Sequence, residues 1–127
     1  MNPFEGLKYF TRSEFDSPDL PGSGEQMNRD FLLKLETIRE RVGRPLRITS
    51  GFRTFDHNFA IKGAPNSAHL RGFAADISAS NSEHRFAILQ AALGVGFRRI
   101  EIAPLHIHVD TDSTLPQDVC VFLASYK

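Results

Sequence analysis

The sequence predicts an α+β fold in which two main helices pack on a small, mainly antiparallel sheet. Two segments of helical length and several short β-rich runs bounded by turn residues lead to this prediction. The 127 residues, of which 41% are hydrophobic and 24% charged, suit one soluble globular domain with one core. We therefore expect residues 1–127 to form a single domain, with residues 1–26 as an N-terminal arm and loop.

The helices are predicted from apolar spacing and capping residues. The segment MNRDFLLKLETIRERVG has Asn28 placed as N-cap and Gly43 as the C-terminal stop. Its apolar stripe, at helical spacing, comprises Phe31, Leu35, Ile38 and Val42. Ser80 and Glu83 have capping-box spacing ahead of the second helix, HRFAILQAALGVG. A shorter helix is predicted over residues 55–62.

The strands are predicted from alternating or β-rich runs between turn clusters. Residues 17–26, rich in Pro, Gly and Ser, form a loop, and the segment before it, LKYFTRSEF, is an extended arm with a short turn. The predicted strands cover residues 45–50, 73–78, 97–102, 105–112 and 118–123. Cys120 lies in the apolar run VCVF, so we expect it to be a buried small hydrophobe. A single cysteine excludes an intrachain disulfide framework.

Charge and apolar patterning exclude several kinds of partner. Fifteen basic residues balance fifteen acidic ones, so we expect no binding to nucleic acid or to an anionic membrane. No apolar run approaches the roughly 20 residues that cross a bilayer. The N-terminus lacks a basic segment followed by an apolar one, so we expect no signal peptide and synthesis in the cytoplasm. We expect a monomer.

The stretch SAHLRGFAAD (67–76) is the first candidate for a metal site. His69 and Asp76 lie seven residues apart, and Gly72 between them lets the chain bend. Zinc in proteins takes imidazole nitrogens and carboxylate oxygens at about 2.0–2.2 Å, and catalytic sites usually have three such ligands. His57 and His84 have no such context, so we interpret both as ordinary histidines.

The stretch HIHVD (106–110) is the second candidate. Side chains alternate along a strand, so His106, His108 and Asp110 share one face, with neighbours roughly 6.6–6.8 Å apart. One histidine could bind a metal ion while the other faces a substrate, or both could bind an ion between them.

Together these motifs resemble the zinc D-alanyl-D-alanine carboxypeptidases and their relatives. Those include vancomycin-resistance D,D-dipeptidases and phage endolysins that cut the L-alanyl-D-glutamate bond, and the hedgehog zinc-binding fold is similar. The family pattern S-x-H-x-x-G-x-A-x-D is met by Ser67, His69, Gly72, Ala74 and Asp76. The closing histidine followed by an acid is met by His108 and Asp110, and SGFR supplies Arg53. The resemblance extends from about residue 8 to residue 112 and is strongest to the small phage and prophage members.

The resemblance implies one Zn²⁺ per chain, held by His69, Asp76 and His108 with a water in the fourth place. It implies that Arg53 binds the substrate carboxylate or the developing oxyanion, because a guanidinium is a planar, permanently charged donor. Ser67 is the other substrate-binding candidate.

The general base is where the sequence departs from the family. Many relatives have a glutamate three residues before the last histidine ligand, whereas this chain has Leu105, which cannot carry a proton. His106 is the first candidate to replace it and Glu101 the second. We expect Asp110 to orient a ligand histidine.

Two functional hypotheses follow. The first is a zinc peptidase that cleaves the peptidoglycan stem peptide, either as a D,D-carboxypeptidase or as an L-Ala-D-Glu endopeptidase. Such a protein would reach the wall after release, as an endolysin does, or as part of a phage particle. The second is a non-catalytic zinc-binding domain of a virion or a cell-wall-binding structural domain. A titratable residue beside an open metal position favours the first.

Overall fold

A mixed β-sheet is the framework of the molecule. The computed structural model describes residues 2–123. Within this range the strands are β1 (Ile48–Ser50), β2 (Ala74–Ser78), β3 (Arg99–Ile102), β4 (His106–Asp110) and β5 (Val119–Phe122). Their order across the sheet is β1-β2-β4-β3-β5; β3 and β5 are parallel, and the other three neighbouring pairs are antiparallel. The predicted α+β class and mainly antiparallel sheet are therefore confirmed.

The helices also lie close to their predicted positions. They are α1 (Arg29–Val42), α2 (Phe55–Ala60) and α3 (Ser82–Val95). The side chain of Asn28 caps α1 by accepting a hydrogen bond from the Phe31 amide at 2.9 Å. Gly43 ends α1 with a φ of 77°, which glycine adopts without steric cost. Among residues 2–123, no helix is long and apolar enough to cross a bilayer.

The predicted cap of the second main helix was wrong by one residue. We expected Ser80 and Glu83 to form a capping box. The structure instead places Asn81 at the N-cap, where its Oδ1 accepts a hydrogen bond from the His84 amide at 2.8 Å. The N-cap is the last residue with an extended backbone before the helix, and its side chain accepts a hydrogen bond from the amide of the third helical residue. Asn81 has this extended backbone, and α3 begins at Ser82.

Alternation along β4 separates two environments. Ile107 and Val109 belong to the hydrophobic core, which α1, α3 and the N-terminal segment share with the sheet. The other three side chains of β4, those of His106, His108 and Asp110, are also buried, but on the opposite face of the sheet. The sheet thus has an apolar face toward the main helices and a polar face that carries the candidate site.

The N-terminal arm packs on the main body, as expected, and includes a 3-10 turn at Arg12–Phe15. Glu36 on α1 anchors it by accepting hydrogen bonds from successive backbone amides, those of Lys8 (2.8 Å), Tyr9 (2.8 Å) and Phe10 (3.0 Å). Phe15 lies against Gly51, where an added Cβ would come within 2.6 Å of the Phe15 backbone. This close approach fixes the SGFR segment beside the polar face of the sheet.

The expectation that Cys120 is buried was wrong, because its thiol is exposed. The run VCVF does form a strand, but among residues 2–123 β5 lies at the edge of the sheet and pairs with β3 alone. Phe122, on the same strand, is 82% exposed. Apolar composition predicted the strand correctly, but burial depends on what covers an edge strand.

Candidate metal centre and its cleft

Three buried side chains converge on the polar face of the sheet. Asp76 Oδ1 lies 3.2 Å from Nε2 of His69 and 3.0 Å from Nδ1 of His108. One ligand atom from each of these residues lies within 4.8 Å of the other two. We call these residues the ligand cluster, and they are the set that the sequence motifs suggested.

Local structure explains how SAHLRGFAAD brings His69 and Asp76 together. His69 lies in a 3-10 turn, Ala68–Arg71, whose N-cap Ser67 accepts a hydrogen bond from the His69 amide at 3.2 Å. Gly72 ends the turn with a φ of 79°, and a Cβ there would lie 2.2 Å from the Gln26 carbonyl oxygen. The chain can therefore reverse into β2 only with glycine at this position, and β2 then carries Asp76 to the site.

Hydrogen bonds behind the cluster orient both histidines. Nδ1 of His69 lies 2.7 Å from the Gly51 carbonyl oxygen, and Nε2 of His108 lies 2.6 Å from Oδ2 of Asp110. Each imidazole therefore donates its rear N–H to an oxygen acceptor and directs its other nitrogen toward Asp76. This is the usual arrangement of metal-ligating histidines. The expected contact of Asp110 is thus present, and its partner is His108.

The donor set fits a divalent metal ion of the zinc type. Two imidazole lone pairs and a carboxylate oxygen point at one region, and they repel each other unless a proton or a cation lies between them. Two nitrogens and one oxygen are a ligand set that zinc accepts in catalytic sites. Among residues 2–123, this cluster is the one group of side chains whose ligand atoms lie close enough together to hold a metal ion. His57 and His84 lie outside it.

Burial and charge shift the pKa values of the cluster in different directions. Burial lowers the pKa of His69. Burial also acts on His108, but its hydrogen bonds to Asp110 and Asp76 outweigh that effect and raise its pKa to about 10. Burial raises the pKa of Asp76, but His69 and His108 more than compensate and hold it well below its ordinary value. A metal ion at this cluster would therefore have to displace the proton that His108 shares with Asp76.

Arg53 contacts the second oxygen of Asp76. Its Nη2 lies 3.4 Å from Asp76 Oδ2, while Nε and Nη1 donate to Ser50 Oγ and Asn58 Oδ1, each at 3.1 Å. The residue is 3% exposed. The structure thus brings Arg53 to the site, where each of its three nitrogens already donates one N–H to a protein group. No sequence motif indicated Asn58, a buried polar residue of α2.

The two candidates for the general base occupy different positions. His106 is buried, with Nε2 3.7 Å from Asp76 Oδ2, and burial lowers its pKa. Glu101 lies directly opposite His108 in the β3–β4 register and is half-buried. Leu105 is 50% exposed, next to the turn that joins the two strands.

A cleft of about 250 Å³ opens beside the cluster. Its lining includes Ala64, Asn66, Ser67, Ala68, His69, Arg99, Glu101, His108, Asp110 and Leu115. Ser67 and Glu101 therefore share a cavity with two members of the ligand cluster. The sequence reasoning missed Arg99, although alternation along RRIEI places it on the same face as Glu101.

Sequence comparison assigns the family. A sequence model described as Peptidase M15 matches residues 8–110. The chain belongs to the peptidase M15 family. Among curated proteins, the chain is similar to the zinc D-Ala-D-Ala carboxypeptidase of Streptomyces albus G, to which it is 40% identical over 68 residues. That stretch is 53% of this chain and only 26% of the relative. The resemblance inferred from the motifs is therefore confirmed at the level of the family.

Proposed function

We propose that this chain is a zinc-dependent peptidase that hydrolyses peptide bonds of the peptidoglycan stem peptide. The observation that carries the proposal is the convergence of His69, Asp76 and His108 beside an open cleft in an M15 chain. The name of the Streptomyces relative supports zinc and a substrate ending in D-Ala-D-Ala. Cleavage of an L-Ala-D-Glu bond, as by an endolysin, is the other form of the same proposal. In either form the protein would act on the wall after release or as part of a phage particle.

The ligand cluster would hold one Zn²⁺ per chain. A zinc ion in such a site supplies a Lewis acid for a carbonyl oxygen and lowers the pKa of a bound water toward about 7. The chain contributes ligands that are already oriented, because the Gly51 carbonyl and Asp110 fix the two imidazole rings.

Arg53 would serve the reaction in two ways. Its contact with Asp76 Oδ2 holds that carboxylate so that Oδ1 faces the two histidines. Its buried positive charge also favours a substrate carboxylate or a developing oxyanion at the site, because charge interactions are stronger away from water. Ser67 would help to line the substrate-binding cleft.

We assign the proton transfer to His106, with Glu101 as the alternative. His106 is near Asp76, and its lowered pKa keeps the imidazole neutral and able to accept a proton. Glu101 is favoured by a different observation: it lines the cleft together with His69 and His108. Either residue would take a proton from the attacking water and deliver it to the leaving amine.

The second candidate function is a non-catalytic zinc domain that binds cell wall or a virion partner. The position of His106 favours it, since a third histidine within 3.7 Å of Asp76 could close the metal site. A closed site with four protein ligands is typical of structural zinc.

Digestion of purified cell wall by the zinc-loaded protein tests the proposal. Mass spectrometry of the products identifies the bond: free D-alanine indicates carboxypeptidase activity, and a new amino-terminal D-glutamate indicates endopeptidase activity. His108→Ala serves as the inactive control. The absence of both products after treatment with the zinc-loaded wild-type protein would favour the structural alternative.

A further inference from the structure

A line of contacts continues from the ligand cluster into β3. His108 donates from Nε2 to Asp110 Oδ2 at 2.6 Å, and Nε of Arg99 lies 3.1 and 3.3 Å from the two oxygens of Asp110. Arg99 and Asp110 are direct partners in the β3–β4 register, so the sheet itself sets this contact. The carboxylate therefore lies between a ligand histidine and a guanidinium.

Arg99 is held as firmly as the carboxylate that it contacts. Its Nη1 donates to the Pro116 carbonyl oxygen at 2.6 Å, and its side chain is 12% exposed. The Asp110 side chain is fully buried, and its Oδ1 also accepts the backbone amide of Asp112 at 3.2 Å. Besides His108, two fixed donors therefore hold the Asp110 carboxylate: the backbone amide of Asp112 and the positively charged guanidinium of Arg99.

We propose that Arg99 is a positioning residue for the metal centre. By fixing Asp110, it keeps the carboxylate in place to accept the hydrogen bond from His108 Nε2–H. The imidazole ring then keeps its orientation, with Nδ1 directed at the region beside Asp76 Oδ1. Without the guanidinium, the buried Asp110 loses its charged donor and is free to take other rotamers, so the imidazole loses its fixed orientation. The inference rests on the metal site proposed above and adds a residue that no motif indicated.

The neighbouring residue provides a matched control. Arg98 is also an arginine of this segment paired with an aspartate: its Nε and Nη2 donate to Asp118 at 2.7 and 2.8 Å. That pair is exposed, with 58% and 72% of the two side chains accessible, and it does not line the cleft. Exposed pairs of this kind contribute little to stability. Arg98→Gln therefore removes the same chemistry without touching the metal site.

The experiment measures the zinc dissociation constant of the full chain by competition with a chromophoric chelator at fixed pH. Arg99→Gln should weaken zinc binding by about 10–100-fold, the usual effect of losing a partner behind a metal ligand. Arg98→Gln should bind as the wild type does. Asp110→Asn should weaken binding as well, and the double change at Arg99 and Asp110 should cost less than the sum of the single changes, because both act through His108.

A spectroscopic readout separates positioning from general destabilisation. In the zinc-loaded protein, the ¹⁵N-resolved signal of the His108 Nε2–H should shift and exchange faster with water in Arg99→Gln, and not in Arg98→Gln. Arg99→Lys, which keeps the charge but not the planar donor group, should give an intermediate zinc affinity. This variant also serves if Arg99→Gln folds poorly.

The outcomes are distinguishable. Zinc affinity in Arg99→Gln and Arg99→Lys equal to that of the wild type, with an unchanged His108 signal, overturns the positioning role and leaves the proposed function intact. A lower melting temperature of the zinc-free variants with unchanged zinc affinity also overturns it, since Arg99 would then be structural only. A wild-type chain that binds no zinc overturns the proposed function and this inference together.

Discussion

Asp76 and His108 lie directly opposite each other on the antiparallel strands β2 and β4, with Oδ1 and Nδ1 3.0 Å apart. Residues 32 positions apart in the chain thus meet through strand register alone. A shift of one residue in that register would turn one of the two side chains into the apolar core. The hydrophobic residues that alternate with them, Ile77 and Ile107, therefore fix the geometry of the site as well as the core.

Removing a ligand should remove the metal. We expect His108→Ala to bind no zinc, while His57→Ala, a histidine outside the cluster, keeps one zinc per chain by elemental analysis. Chelation with EDTA should lower the melting temperature of the wild type, because metal that binds only the folded state stabilises it by about 4 kcal/mol at 1,000 times its dissociation constant. The absence of zinc from the wild type, with no effect of EDTA on its melting, would contradict the site.

Arg53→Lys should separate metal binding from activity. One ammonium cannot reach Ser50, Asn58 and Asp76 as the guanidinium does, so we expect about 1–3 kcal/mol lower stability from unsatisfied buried groups. A misplaced positive charge at position 53 should reduce activity at least tenfold, given that roughly 1 Å can cost 10²-fold, while the ligand cluster retains the zinc. Arg41→Lys, an exposed change on α1, is the control for urea unfolding and wall digestion. Unchanged activity in Arg53→Lys would show that Arg53 has no part in the reaction.

The proton-transfer role can be assigned by comparing two variants. His106→Ala should keep zinc and lose roughly 10²–10⁴-fold in rate, the range for a positioned acid–base group. A base must be deprotonated, and burial lowers the pKa of His106, so the wild-type rate should fall with acid only below the ordinary value near 6.5. The variant should lack that limb of the pH–rate profile.

Glu101→Gln gives the opposite outcome if the alternative holds. Full activity in His106→Ala together with a loss in Glu101→Gln would transfer the role to Glu101. Loss of zinc in His106→Ala would instead show that His106 is a metal ligand, which favours the structural domain.

Asp112 should make the stability of the protein acid-sensitive. Burial raises the pKa of its carboxyl, but Thr114 and Arg71, whose Nε lies 2.6 Å away, outweigh that effect and hold the pKa below its ordinary value of 3.8. A lowered pKa in the folded state stabilises the protein above pH 3.8, and this stabilisation is lost as the pH falls through the folded-state pKa.

Urea unfolding of Asp112→Asn checks this expectation. The variant should be less stable than the wild type by about 1–3 kcal/mol at pH 7, and the difference should shrink as the pH is lowered below 3.8. Asp56→Asn, at an exposed position, is the matched control for the substitution itself. A difference that stays constant with pH would mean that the charge of Asp112 does not contribute.

Local sequence signals predicted the elements and the ligand cluster well because those signals act over a few residues. Spacing of apolar residues predicted α1, and alternation predicted β4 with its histidines on one face. Ser80 and Asn81 are adjacent and both are of a type that caps helices, so the sequence predicted the second main helix but not its N-cap. The exposure of Cys120 could not be predicted, since it depends on the position of β5 at the edge of the sheet.

The sequence by itself determined which side chains are available for metal binding: a histidine and an aspartate around a required glycine, and a strand that carries His108. Only the tertiary structure decided how they are held. The β2–β4 register brought Asp76 to His108, the arm behind Gly51 positioned the carbonyl that orients His69, and β3 placed Arg99 against Asp110. These contacts join residues far apart in the chain, and their geometry depends on strand order and register, which no local pattern specifies.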